Sequence, residues 1–140
     1  MHEIRIANSH DLAQAEMIYN SAMRIADWLP EPARNKFDFG SATMGEDIFV
    51  AVNSDRLITG FVSVWTAESF IHHLYVDAAF RRSGVGSELL ASLHNWLPRP
   101  WKLKCVTANS EAMAFYLSLG WVSEKTENGP DGEYHLMRFA

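Results

Sequence analysis

Arg81-Arg82-Ser83-Gly84-Val85-Gly86 places two guanidinium groups beside two glycines, a composition suited to gripping a phosphorylated ligand. The segment lies between a strand-like run, Phe70-Ile71-His72-His73-Leu74-Tyr75-Val76, and an amphipathic stretch from Ser87 to about Leu97 that reads as a helix. A strand that turns into a helix through such a loop points several backbone N–H groups at one spot. It aims the positive end of the helix dipole there as well. The glycines let the backbone approach an anion and adopt dihedrals that a side chain would forbid. Two familiar phosphate patterns are excluded by the residues themselves. A dinucleotide fingerprint needs a third glycine at position 89, which is Leu89, and a nucleoside-triphosphate loop needs Gly-Lys-Ser/Thr, which occurs nowhere. The competing reading is an ordinary strand–helix turn that carries glycines by accident.

Arg-x-x-Gly-x-Gly after a strand ending Leu74-Tyr75-Val76 resembles the acyl-coenzyme A motif of the GCN5-related N-acetyltransferase (GNAT) family. A second segment, running from Asn109 through Ala112, Phe115-Tyr116 and Gly120-Trp121, is similar to another GNAT signature at the expected separation. The resemblance covers essentially the whole chain. It implies acetyl transfer from acetyl-CoA to a primary amine by direct attack in a ternary complex, with no acyl-enzyme. The amides of Arg81, Arg82, Ser83, Gly84, Val85, Gly86 and Ser87 would hold the cofactor's pyrophosphate. Asn109 would hydrogen-bond the pantetheine arm, and Tyr116 would stand near the thioester sulfur. If the strand at Phe70–Val76 splays from its neighbour, as the resemblance implies, the backbone at Leu74, Tyr75 and Val76 could bind that arm like an added strand and polarise the thioester carbonyl.

Each assignment has a plainer rival. Asn109 is also a good helix cap, Phe115 suits a core, and Tyr116 could be a core tyrosine whose hydroxyl meets a backbone carbonyl. As a phenol, Tyr116 is a fitting acid for a departing thiolate. For the base, strict alternation puts Phe70, His72, Leu74 and Val76 on one face and Ile71, His73 and Tyr75 on the other. Many GNAT enzymes carry glutamate where this chain has Phe70, a departure from the pattern. Aryl-alkylamine members are instead similar at His72, where they place a histidine, a residue type suited to taking up an amine's proton. His72 is therefore the first candidate and Glu68 the reserve, against a strand histidine satisfied by a hydrogen bond. His73 is expected to face away. His2, His10, His94 and His135 show no ligand spacing, so no metal is expected.

The elements that must position these residues can be read around them. Ile4-Arg5-Ile6 alternates like a strand, and Ser9 or Asp11 could cap a helix with the stripe Leu12, Ala15, Ile18, Tyr19, Ala22 and Ile25. After Trp28-Leu29-Pro30-Glu31-Pro32 comes an irregular stretch to about Gly45, with room for a short second helix. Ile48–Val52 and Leu57–Trp65 read as strands across the turn Asn53–Arg56, and Phe70–Val76 completes an antiparallel meander. A crossover helix with Val85, Leu89, Leu90, Leu93 and Leu97 on one face leads to the strand Trp101–Val106. A second helix, Ser110–Leu119, ends at Gly120. Trp121–Thr126 and Glu133–Phe139 form a final hairpin. The result is a mixed α/β sheet with helices on its faces, β-α-α-β-β-β-α-β-α-β-β, which is also the GNAT element order.

At 140 residues the chain suits a single domain. A net charge of −5 disfavours nucleic acid, whose phosphates demand a basic face, and tolerates a cationic amine. No apolar run is long enough to span a membrane, and Met1-His2-Glu3-Ile4-Arg5 lacks signal-peptide composition. The lone Cys105 reads as a buried core residue in a reducing compartment, the cytoplasm. The acceptor pocket that the resemblance implies would draw on Trp28, Phe37, Phe39, Trp65 and Tyr134 with Glu31, Asp38 and Glu68. That lining leans to a small-molecule amine, and a homodimer is a family-level expectation. Rival functions are a non-catalytic acyl-CoA binding module and a nucleotide or phosphometabolite binder.

Overall fold

The strands are β1 (Glu3–Ile6), β2 (Asp47–Val52), β3 (Ile58–Trp65), β4 (Phe70–Val76), β5 (Trp101–Val106), β6 (Val122–Gly129) and β7 (Gly132–Phe139) in a computed structural model that describes residues 2–35 and 37–140, and β2, β3 and β4 are rich in β-branched and aromatic residues. They make one sheet in the order β1-β2-β3-β4-β5-β7-β6. Every pairing is antiparallel except β4 with β5, where the crossover through α4 (Val85–Ser92) makes the two parallel. The other helices are α1 (Ser9–Arg24), α2 (Glu31–Asn35), α3 (Phe39–Ala42) and α5 (Ser110–Ser118). Among the described residues no helix is long and apolar enough to cross a membrane.

The sheet separates two cores, as expected of a mixed α/β layer arrangement. On one face α4 and α5 pack Val85, Leu89, Leu90 and Tyr116 against Val62, Val64, Ile71, Leu103 and Met137. On the other, α1 and α3 pack Ala15, Ile18, Tyr19 and Phe39 against Ile48, Val50 and Phe61. Burying a side chain such as Leu89 contributes about 1.5–3 kcal/mol, so α4 is fixed chiefly by this face. Gly60 on β3 lets it settle closely. A Cβ there would lie 2.9 Å from the Tyr75 carbonyl oxygen and 3.1 Å from Val85 Cγ1.

Local chemistry shifts several expected boundaries. The cap of α1 is Asn8, one residue before Ser9: its side chain accepts from the Asp11 N–H, and the Asp11 carboxylate accepts from the Asn8 N–H. Asp11 therefore sits in the buried stripe with Ala15, Ile18 and Tyr19, whereas Leu12 and Ile25 are exposed. The irregular stretch holds two short helices rather than one. α4 gives way after Ser92 to a single 3-10 turn, Leu93–Asn95, yet Leu93 and Leu97 are buried as the spacing predicts. The final hairpin runs further than its polar sequence suggests, with Glu127 paired to Tyr134 and only Pro130-Asp131 at the turn.

Arg5 donates two hydrogen bonds to the Asp11 carboxylate, which together with the Asn8 N–H hold that carboxyl below its ordinary range. Asp11→Ala is expected to cost about 1–3 kcal/mol, the scale of a lost cap plus a charged hydrogen bond. Because Asp11 stays ionised in the folded chain after its unfolded counterpart has begun to bind protons, its contribution is present above about pH 4 and is lost as the pH falls further. Urea midpoints of wild type and variant that fail to converge on acidification would contradict this.

Candidate active site

β4 and β5 are paired only through Phe70–Lys102 and Ile71–Leu103. Beyond that rung β4 stays with β3 as far as Val76, and β5 stays with β7 as far as Val106, so the two strands part. Their facing backbone groups form an internal sheet edge, able to accept an extended ligand as an added strand. The gap opens into a groove of about 990 Å³. Its walls are Leu74, Tyr75 and Val76 of β4, the loop residues Arg81, Arg82, Gly84, Val85, Gly86 and Ser87, and Asn109 and Tyr116 from α5 and its cap. Of the residues expected around the cofactor, only Ser83 stands aside, its hydroxyl donating to the Phe80 carbonyl.

Gly84 caps α4 with φ +83° and so brings no side-chain acceptor to the helix entrance. The N–H groups of Val85, Gly86 and Ser87 make no hydrogen bond with any described residue, and the ladder begins at Glu88 N–H to Gly84 C=O. Three free donors at a helix N-terminus can receive an anion. A Cβ built on Gly84 meets nothing within 4 Å, so the space above it is open. Gly86 has another role: a Cβ there would lie 3.3 Å from Phe115 Cζ, so the glycine lets α4 and α5 approach. Arg81 and Glu111 face each other at 3.7 Å across the groove's mouth.

At the far wall Tyr116 is buried, its ring packed edge-on to Phe115 and Trp121 at centroid distances of 5.3 and 5.7 Å. Its hydroxyl has no hydrogen-bond partner among the described residues, so the backbone carbonyl of the plainer reading is not there. Burial pushes the phenol well above its ordinary value, with Cys105 adding to the effect, so Tyr116 stays protonated. Asn109 does act as a cap, its side-chain oxygen accepting from the Ala112 N–H at 3.2 Å. Its amide NH₂ makes no hydrogen bond to any described residue.

β4 corrects the alternation argument. The register steps from Ser63–His73 to Val64–Ile71, leaving His72 as an extra residue in a bulge. Ile71 thereby faces the same core as Leu74 and Val76. His73, expected to face away from His72, stacks on it at 4.0 Å and reaches 3.3 Å from the Ala42 carbonyl. Burial, with His72 beside it, pushes His73 down to about 4, so its imidazole is neutral.

His72 Nδ1 is hydrogen-bonded to Glu46 just ahead of β2, and Ser63 donates to the other oxygen of that carboxylate. Glu46, His72 and His73 thus bring potential metal-ligating atoms within 4.8 Å of one another. Here those atoms are turned on protein partners: Glu46 and His72 on each other, His73 on Ala42. His72 and Glu46 share a second cavity, of about 360 Å³, with Trp65, Glu68, Phe70 and Lys104. His72 and Lys104 are the first residues past the last β4–β5 rung, so this cavity adjoins the mouth of the gap.

Other residues expected around an acceptor are dispersed. Phe37 and Phe39 pack on Tyr19 in the core, Asp38 caps α3, Trp28 lines the larger groove, and Tyr134 lies under Lys104. Glu31 opens α2 on the surface.

A family model described as an acetyltransferase (GNAT) domain matches residues 44–123, more than half of the sequence. The chain belongs to the GNAT acetyltransferase family. Solved GNAT-like structures share its architecture. The apo form of YjaB from Escherichia coli superposes with a TM-score of 0.81 at 17% identity, covering 100% of this chain and 98% of that one. The ribosomal-protein-S18-alanine N-acetyltransferase from Escherichia coli gives 0.74 at 20% identity over 99% and 93% of the two chains. YncA from Salmonella typhimurium, a putative acetyltransferase solved with its cofactor acetyl-CoA, gives 0.72 at 20% identity over 99% and 93%. At these identities the likeness is one of fold. No protein of curated function matches the sequence significantly.

Within this GNAT domain, sequence reasoning missed Glu46 and Lys104. Glu46 lies 26 residues from His72 and meets it only through the β2-β3-β4 register. Nothing in its local sequence marks it. Lys104 alternates outward on β5 between the buried Leu103 and Cys105, and the parting of the strands alone brings it to the cavity.

Proposed function

We propose that this protein is an N-acetyltransferase that moves an acetyl group from acetyl-CoA to the primary amine of a small molecule. The observation that carries this reading is the unpaired gap between β4 and β5, with three free helix N–H donors at one end and, in its wall, a buried tyrosine whose hydroxyl has no partner among the described residues. Acetyl-CoA, as co-substrate, supplies an acyl group activated as a thioester. The N–H groups of Val85, Gly86 and Ser87, with Arg81 and Arg82, grip its diphosphate. The free edge of β4 at Leu74–Val76 binds the pantetheine arm, and one of its N–H groups polarises the acyl carbonyl. The Asn109 NH₂ donates to the same arm. Tyr116 keeps its proton until a thiolate departs and gives it up then.

His72 takes the proton of the attacking amine, since it lines the smaller cavity and stands at the mouth of the gap. Glu68 shares that cavity as the reserve base. Trp65 and Phe70 offer aromatic faces and Glu68 a negative charge opposite the cation of Lys104, in a cavity whose size suits a small amine.

Thermal shift with acetyl-CoA, coenzyme A, ATP and NAD is expected to respond to the first two alone. Thiol release from acetyl-CoA is then followed with 2-phenylethylamine, spermidine, lysine and an alanine-leading peptide. Binding without turnover of any amine would mark a non-catalytic acyl-CoA module, and a response to ATP or NAD alone would defeat the reading. With the best amine, His72→Ala is expected to slow turnover about 10²-fold or more, the usual scale for a lost general base. Glu68→Gln should change it by less than about 10-fold. The reverse order would move the base to Glu68.

A further inference from the structure

Glu46, just ahead of β2, holds a carboxylate that is nearly enclosed. Its side chain is only 5% exposed, while that of His72 is 45% exposed. A buried carboxylate must be paired or hydrogen-bonded, and here both oxygens are committed. One accepts from the buried Ser63 hydroxyl, the other meets His72 Nδ1. The imidazole is also stacked on the neutral ring of His73 at 4.0 Å, which fixes its plane. His72 Nε2 has no partner among the described residues, and the ring lines the 360 Å³ cavity.

We propose that Glu46 is the positioning residue for His72, on the reading above that His72 removes the acceptor's proton. A carboxylate can only accept at Nδ1, so it holds the proton there and leaves the lone pair on Nε2, the nitrogen open to the cavity. When the amine attacks, its proton passes to Nε2, and the imidazolium that forms keeps its Nδ1–H on Glu46 until Nε2 returns the proton to water. No bond within the Ser63–Glu46–His72 chain is broken. The carboxylate selects the tautomer and holds the ring by the same hydrogen bond before and after the proton is taken up. Ser63 keeps the carboxylate from rotating away.

The test reads the tautomer of His72 by ¹⁵N NMR at a pH where imidazole is neutral, which needs no acceptor. Wild type is expected to show Nδ1 protonated and Nε2 bare. Glu46→Ala should shift the proton largely to Nε2, with the rest of the spectrum still that of a folded protein. Glu46→Gln retains a carbonyl that can accept at Nδ1, so it should restore the tautomer. It lacks the charge, so it should restore only part of the turnover measured by thiol release with the amine panel. Glu46→Ala itself should lose about 10- to 100-fold in turnover, with little change in the KM for acetyl-CoA. A bare Nδ1 in wild type overturns the proposal. So does full turnover in Glu46→Ala beside a His72→Ala variant that is slow, which leaves His72 as base without this partner. Full turnover in both variants removes His72 as base and Glu46 with it.

Discussion

Replacing Gly84 by aspartate is expected to abolish acetyl-CoA binding and leave the protein folded. The backbone there has φ +83°, which aspartate tolerates better than most residues, and an added Cβ meets nothing within 4 Å. Stability should therefore change by no more than about 1–2 kcal/mol. Binding is another matter. The new carboxylate would stand at the entrance of α4, where the N–H groups of Val85, Gly86 and Ser87 are free, and would itself cap them. It would also face the cofactor's diphosphate. Two like charges about 4–5 Å apart repel by roughly 3–4 kcal/mol at a surface-like dielectric. That alone weakens binding more than about 100-fold. Gly84→Asn, of the same shape without the charge, should lose much less. Calorimetric affinity retained in Gly84→Asp would show that the helix entrance is not where the diphosphate sits.

Tyr116→Phe should produce the opposite signature, with binding preserved and chemistry lost. The ring packs on Phe115 and Trp121 and lies in the core with Val85 and Leu103, and phenylalanine keeps all of that contact. The hydroxyl bonds to no described residue, so its removal strands no buried partner and stability should hold. What disappears is a proton donor that burial has kept from ionising. Loss of a general acid costs roughly 10²- to 10⁴-fold, and the fall should lie in kcat, with acetyl-CoA affinity changed less than about threefold. Turnover equal to wild type would return Tyr116 to the core and nothing more.

The fold was legible wherever burial and periodicity speak together. β5 runs Trp101–Val106 as its alternation says, and α5 runs from Ser110 because Asn109 caps it. Legibility failed where a polar residue does a structural job, as Asp11 does inside a helix stripe, or where an exposed outer strand such as β6 needs no apolar pattern to pair. The site divides the same way. Arg81–Gly86 and Tyr116 are local signals, carried by glycine spacing and by one helix. The His72 surroundings are non-local. An inserted residue changes the phase of β4, and Glu46 arrives from another strand's approach, so neither local alternation nor spacing could place them.

The bulge at His72 also separates two duties within one strand. Ile71 on one side and Leu74 and Val76 on the other hold to the same core, while His72 has no rung to keep and nearly half of its side chain in the open. A change at position 72 would spare the hydrophobic interior but strand one oxygen of the buried Glu46 carboxylate, so the two positions are tied to each other rather than to the core.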